Sequence, residues 1–341
     1  MSKKMMQKPL KQPFILRITN GRLNHYVVGI IVLLVLALIW RLVIFLEGWQ
    51  SISSSINLII FFSVTISYTI IITRVIVNGH LRDFEQINRL TDFTEEKKQQ
   101  LKDALQRPDS IYRLTIVAAF VGIIHSALGR GPFYNIITLN FKYIYFDVWM
   151  TFLIALIWMT ITQAGAIFIG SLKLFAGISR QININLLNVE QLTVFLKAGI
   201  RSTLAFIGTY ALFPLLGFSR FEDMFLNPAV FIFIPLIAAM ILIPIIPIRK
   251  KIRMAKEKEL NLINRALKGE KDCLKDSQIS HDLHNINIID LITYKKTIMS
   301  IKEIPFNVPI ALRFLFYIII PLLTWVAASL VDKIVVAILK Y

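Results

Sequence analysis

The stretch from Asn227 to Lys251, NPAVFIFIPLIAAMILIPIIPIRKK, decides the fold. About twenty consecutive apolar residues ended by a basic cluster are long enough to cross a bilayer, with Arg249, Lys250 and Lys251 meeting an anionic cytoplasmic face. Pro235, Pro244 and Pro247 each remove a backbone donor, so the carbonyls they free need cover from neighbouring helices, side chains or water. A bundle of further helices is therefore required.

Downstream lies the largest polar insert, Arg249 to Pro305. RKKIRMAKEKELNLINRALKG places Ile252, Leu260, Ile263 and Leu267 on one helical face, and Gly269 is a natural stop. LHNINIIDLITYKKTIMSIKEI repeats the pattern through Ile288, Leu291, Ile292, Ile298 and Ile301. The expected result is a cytoplasmic amphipathic hairpin, or an extension of the preceding span beyond the bilayer. Pro305 and Pro309 then bracket a last span, Ile310 to Leu330, with Arg313, Pro321 and Trp325.

Upstream, apolar runs predict spans at His25 to Leu46, Ile56 to Val77, Ile111 to Leu128, Asp147 to Leu172 and Ile200 to Phe218. The basic N-terminus resembles the front of a signal sequence, but its basic region is long and no small-x-small cleavage pattern follows. An uncleaved first span is the reading. Asn78 to Asp109 is expected to be a polar segment with an amphipathic helix, closed by Pro108 and followed by a cap at Asp109 or Ser110. Ile178 to Gly199 is too polar to span and predicts interfacial helices. The aromatic link after GRGPF suits the interface, and FSRFEDMFLNP, with Arg220, Glu222 and Asp223, reads as a tight outer loop. Pro214 predicts a kink or early end to its helix.

Composition agrees with this reading. Of 341 residues, 56% are hydrophobic and 17% charged, and mean hydropathy is +0.64, so lipid rather than water is the solvent. The formal charge of +17 sits in short segments between apolar runs, which fits topology control and not nucleic-acid binding. With the N-terminus cytoplasmic, seven crossings put the three basic segments on one side. A dip at Pro321 would leave six. The expected fold class is an all-α, polytopic transmembrane helical bundle with cytoplasmic amphipathic helices. Its regions are 1–248 in the membrane, 249–305 as the hairpin and 306–341 as the C-terminal span. A plasma or inner membrane suits helices of this kind.

Chemistry-bearing residues are few. Polar groups inside spans are costly and mark candidate pathways, which selects His125, Asp147, Gln163 and Arg201 as substrate or ion contacts. Gln163, near Gly165 and Gly170, suits an interhelical amide bond to a helix packed closely against those glycines better than it suits a pathway contact, and Asp147 suits a helix N-terminus. Membrane-surface or partner contacts are assigned to Arg249, Lys250, Lys251, Leu260, Ile263, Ile288 and Ile292, with anionic lipid and a protein partner or second copy as the chemistry they fit. Cys273, His281 and His284 have unusual spacing for zinc and lack an evident fourth ligand, so no metal is expected. No nucleotide or hydrolase motif occurs, and no cofactor is expected.

Many spans, proline-bearing helices and little outer domain point to a transporter or channel for an ion or small solute. The alternative is a membrane-embedded scaffold or sensor whose cytoplasmic helices bind a partner. An intramembrane enzyme ranks third.

Overall fold

A computed structural model describes residues 12–304 except 22, 52–54, 90, 92, 108–110, 129–130, 217–227 and 280–286, together with a few isolated positions beyond. The side chains of 228–234 are likewise not described. The outer loop with Arg220, Glu222 and Asp223, the stretch with His281 and His284, the cap at Asp109 or Ser110, and Arg313, Pro321 and Trp325 of the last span all lie outside the described residues.

The fold is an all-α helical bundle. Its helices are α1 (Phe14–Ile18), α2 (His25–Glu47), α3 (Ile56–Asn88), α4 (Glu95–Gln106), α5 (Ile111–Ala127), α6 (Pro132–Ile137), α7 (Ile144–Ser179), α8 (Thr193–Tyr210), α9 (Pro228–Leu267) and α10 (Ile288–Ser300). Among the described residues there is no strand. Among the described residues five helical stretches are long and apolar enough to cross a membrane: α2, α3, α4–α5, α7 and the stretch containing α8. They fit a multi-pass integral membrane protein. Residues 228–247 of the apolar run form the first half of α9, which continues through all three prolines and through Arg249–Lys251.

The long helices exceed what a bilayer needs. At 33, 36 and 40 residues, α3, α7 and α9 measure about 50, 54 and 60 Å, against about 30 Å of hydrocarbon. The excess builds a second core. The first core takes Trp40 from α2, Ile66 and Ile70 from α3, Leu153 and Ile167 from α7, and Met240 from α9. The second packs Phe84 and Ile87 of α3 against Phe175 of α7, Phe195 of α8, Ile252 and Ile263 of α9, and Ile298 of α10. Leu81 touches both cores. The end of the bundle that carries the second core, with the basic segments around it, is termed the basic end below.

Two sequence expectations change as a result. The helix expected to stop at Val77 continues to Asn88, with His80 and Asp83 buried. The interfacial reading of Ile178 to Gly199 gives way to a short 3-10 segment, Leu186–Leu192, followed directly by α8, with Ile182, Leu186 and Phe195 buried in the second core. In both cases a polar sequence is explained by partners on neighbouring helices.

The proline account is met at one point. Pro244 cannot donate to the carbonyl of Met240 one turn earlier. Gly199 of α8 lies over that carbonyl so closely that a Cβ would sit 3.2 Å from both Met240 O and Pro244 Cγ. Absence of a side chain at Gly199 thus lets α8 close over the interrupted turn of α9. Pro214 falls in a 3-10 turn, Phe213–Leu216, just after α8 has ended.

At the basic end, Glu259 of α9 is 3% exposed and accepts at one oxygen from Ser277 Oγ, from Gln278 N at 3.0 Å and from the Tyr294 hydroxyl at 2.9 Å. Burying a carboxylate is costly unless donors converge on it. Here three do, and they clip the 271–279 turn and α10 to α9. Lys256 Nζ adds bonds to the carbonyls of Met299 and Ile301, and Asn287 with Asp290 forms a capping box at the start of α10.

Candidate functional site: a membrane cavity and a polar seam

Helices α3 and α8 are antiparallel neighbours. Tyr68 OH donates to Ala205 O at 3.2 Å near one end of the contact, and His80 Nε2 meets Ala198 O at 3.3 Å near the other. Along this contact one face of α3 carries Thr65, Thr69 and Thr73, all buried, the last two between the tie points. The Thr69 and Thr73 hydroxyls donate to carbonyls one turn back, at 2.7 and 2.6 Å, which is how a hydroxyl lives cheaply inside an apolar bundle.

A cavity of about 380 Å3 lies beside this face, in the membrane half of the bundle. Its walls come from α3 (Phe61, Phe62, Thr65, Thr69), α7 (Ile154, Ala164, Phe168) and α8 (Ala205, Phe206, Thr209), with His125 of α5 and Trp158 of α7 also lining it. Among the described residues no charged side chain lines it.

Toward the basic end, α3 and α8 meet in a polar seam. Arg201 forms an ion pair with Asp83. Its guanidinium also packs against Gly79, where a Cβ would collide with it. One turn from Asp83, His80 is fully buried and places Nε2 3.2 Å from Ser202 Oγ as well as near Ala198 O. A carbonyl only accepts, so Nε2 carries the hydrogen and Nδ1 is left as an acceptor with no partner among the described residues. Phe175 presents its edge to the ring at a centroid distance of 5.4 Å.

The Ser202–His80 contact sets a buried hydroxyl beside a buried imidazole. Among the described residues no carboxylate orients Nδ1, and both side chains are buried. The seam's chemistry is charge pairing between two helices, at the level where the two cores meet.

The four residues selected from sequence are placed at four separate stations. His125 Nδ1 accepts from Trp158 Nε1 at 3.0 Å on the exposed side of α5 and α7, at the edge of the cavity. Gln163, 2% exposed, accepts from Ile15 N at 3.3 Å and donates to Thr115 Oγ1 at 2.9 Å, tying α1 and α5 to α7. Asp147 sits in the first turn of α7 and accepts from Asn135 Nδ2 of α6 at 3.2 Å. Arg201 belongs to the seam. Gly165, expected to receive a close helix neighbour, faces open space instead and lines the cavity.

No family model, curated protein or solved structure matches this chain. The geometry alone therefore carries the reading.

Of the surface residues chosen from sequence, Ile263 is fully buried and Leu260 half-buried in the second core. Ile288 and Ile292 face outward. Arg249 and Lys250 are exposed, Arg249 pairing with Glu303 at 3.3 Å, and Lys251 Nζ donates to Ile182 O at 2.7 Å. Cys273 donates its thiol hydrogen toward Glu270 O and Leu262 O. His80, Asp83 and Ser202 were missed from sequence. Their signal is the helical spacing that carries the Thr65, Thr69, Thr73 face on to His80 past the apparent end of the span. Glu47 was also missed as a functional contact: from the end of α2 it accepts from Tyr145 N at 2.7 Å and Phe146 N at 3.1 Å, supplying the start of α7 with an acceptor.

Proposed function

We propose that this chain is a multi-pass transporter of the cell or inner membrane, with its N-terminus and basic end cytoplasmic, and that a small molecule is held in the cavity between α3, α7 and α8 during transfer. The cavity is the observation that supports this reading: it lies inside the membrane half of the bundle, and the Asp83–Arg201 seam stands between it and the basic end. A carrier fits better than an open channel because the seam is an ion-paired closure rather than a ring of like charges. His125 lies on the cavity side of this route and Arg201 at its closure. Gln163 and Asp147 hold the flanking helices α1, α5 and α6.

Accessibility of single cysteines tests it. Cys273 is the chain's one cysteine, so a Cys273→Ser background can carry a new cysteine at Thr69 or at Ser202. Transport by alternating access predicts that a membrane-impermeant thiol reagent reaches Thr69→Cys from the outer side and Ser202→Cys from the cytoplasmic side, and that Arg201→Met speeds the latter. Failure of both positions to react from either side would overturn the proposal.

A scaffold or sensor is the second reading, favoured by α10. Ile288, Ile289, Ile292 and Met299 are exposed on the outer face of this helix, whose Ile298 packs in the second core, with Lys295 and Lys296 beside them, a pattern suited to anionic lipid or a protein partner.

A further inference from the structure

We propose that the cavity between α3, α7 and α8 takes an uncharged, lipid-soluble molecule with a single hydrogen-bonding atom, and that this molecule enters from the bilayer past Trp158 and Ile161. The inference rests on the transport reading only for what happens after binding. The walls are aromatic and aliphatic, so a bare ion would lose its hydration there without a counter-charge. The polar atoms are mostly spent. Thr69 and Thr209 donate to carbonyls of their own helices, at 2.7 and 3.0 Å, and His125 Nδ1 is occupied by Trp158.

Thr65 differs. It is fully buried, lines the cavity, and its hydroxyl has no partner among the described residues. A hydroxyl left unsatisfied inside an apolar bundle is costly, and a ligand atom that bonds to it removes that cost. It lies nine positions into α3, or about 14 Å along the axis, near the bilayer midplane. A phospholipid headgroup does not reach that depth, whereas the hydroxyl or carbonyl of a small neutral amphiphile does. On the rim, Trp158 and Ile161 are 38% and 40% exposed, so the lining continues onto the lipid-facing surface of α7.

The test uses the full chain in lipid nanodiscs and a tritiated, diazirine-bearing decanol as probe. Light should place the label on Phe168 and Phe206, and excess unlabelled decanol, but not decanoate, should suppress it. Gly165→Leu fills the cavity from a position where an added Cβ meets open space, and should abolish labelling there with melting unchanged. Thr65→Val keeps the shape and removes the hydroxyl, and should weaken binding by about three- to tenfold, as one hydrogen bond is worth. Label confined to lipid-facing Leu34 and Leu38 of α2 and indifferent to Gly165→Leu would overturn the site. Equal competition by decanoate, or photoreactive phosphatidylcholine labelling Phe206 independently of Thr65, would overturn the ligand class. Decanol labelling of the cavity with cysteines at 69 and 202 unreactive would leave this inference standing and remove the transport reading; two-sided cysteine reactivity without decanol labelling would do the reverse.

Discussion

Asp83 and Arg201 face each other across α3 and α8, and the two partners are unequally buried: the Asp83 side chain is 4% exposed and that of Arg201 28%. Removing one partner of a buried ion pair strands the other, so the consequence depends on which remains. Arg201→Met leaves a carboxylate sealed among helices and should lower stability by about 3–5 kcal/mol. Asp83→Asn leaves a guanidinium that already reaches water and should cost less. Thermal melts of the purified protein check the order. The double variant Arg201→Met with Asp83→Leu should recover much of the loss, and equal losses in the two single variants would contradict the asymmetry.

Gly199 supplies a second prediction. Because a Cβ there presses on the Met240 carbonyl and Pro244, Gly199→Val should separate α8 from α9 at an overpacking cost of about 1–3 kcal/mol. Gly177 of α7 has nothing within 4 Å of such a Cβ, so Gly177→Ala should stabilise by about 0.5–1 kcal/mol. Melting temperatures moving in the same direction would refute the packing account.

Gln163 anchors α1 through the backbone of Ile15, while Ile15 and Leu16 are fully buried. Gln163→Leu withdraws both the acceptor for Ile15 N and the donor for Thr115. The N-terminal segment should then loosen, and trypsin should cut after Arg17 several-fold faster, as about 1 kcal/mol of lost hydrogen bonding implies. An unchanged cleavage rate would mean that burial of Ile15 and Leu16 alone holds the segment.

Tyr294 gives the basic end a pH dependence. Burial first, and then the hydrogen bond to Glu259 and its charge, push the phenol above its ordinary range. A raised folded-state pKa stabilises the folded form fully below the unfolded value near 10, and that stabilisation is lost as pH rises through the folded value. The clip should therefore stay closed through neutral pH and open only in strong alkali. At pH 8, Tyr294→Phe should expose the half-buried Cys273 to a thiol reagent roughly tenfold faster, because a hydrogen bond to a charged group is removed. Identical labelling rates at pH 8 would place Cys273 outside the influence of the clip.

Apolar run length makes the bundle legible: α2, α5, α7 and the first half of α9 lie close to where hydropathy places them. What hydropathy misses is helix continuing beyond lipid. Asn78, Arg82 and Asp83 look like the start of a solvated loop because a sequence does not show that Arg201, 118 positions away, returns to pair with Asp83. The same holds for Ile182 and Leu186, whose polar neighbours suggest an interface while their own side chains enter the second core. Gln163 was legible as an interhelical amide, but not its partner, since nothing local marks Ile15 as its donor. The cavity was not legible at all: nothing local marks Gly165 or Thr65 as lining one, and only their spatial setting gives them that part.

The second core also constrains the order of biogenesis. Among the described residues the membrane core draws its last buried member from Met240, whereas the second core needs residues from Phe84 through Ile298. During synthesis, the polar-flanked ends of α3 and α7 must wait, with Phe84 and Phe175 uncovered, until α9 and α10 have emerged. A ribosome stalled before Ile252 should hold an inserted but half-closed bundle that invites chaperones at its basic end, so Ile252, Ile263 and Ile298 time the maturation of helices made long before them.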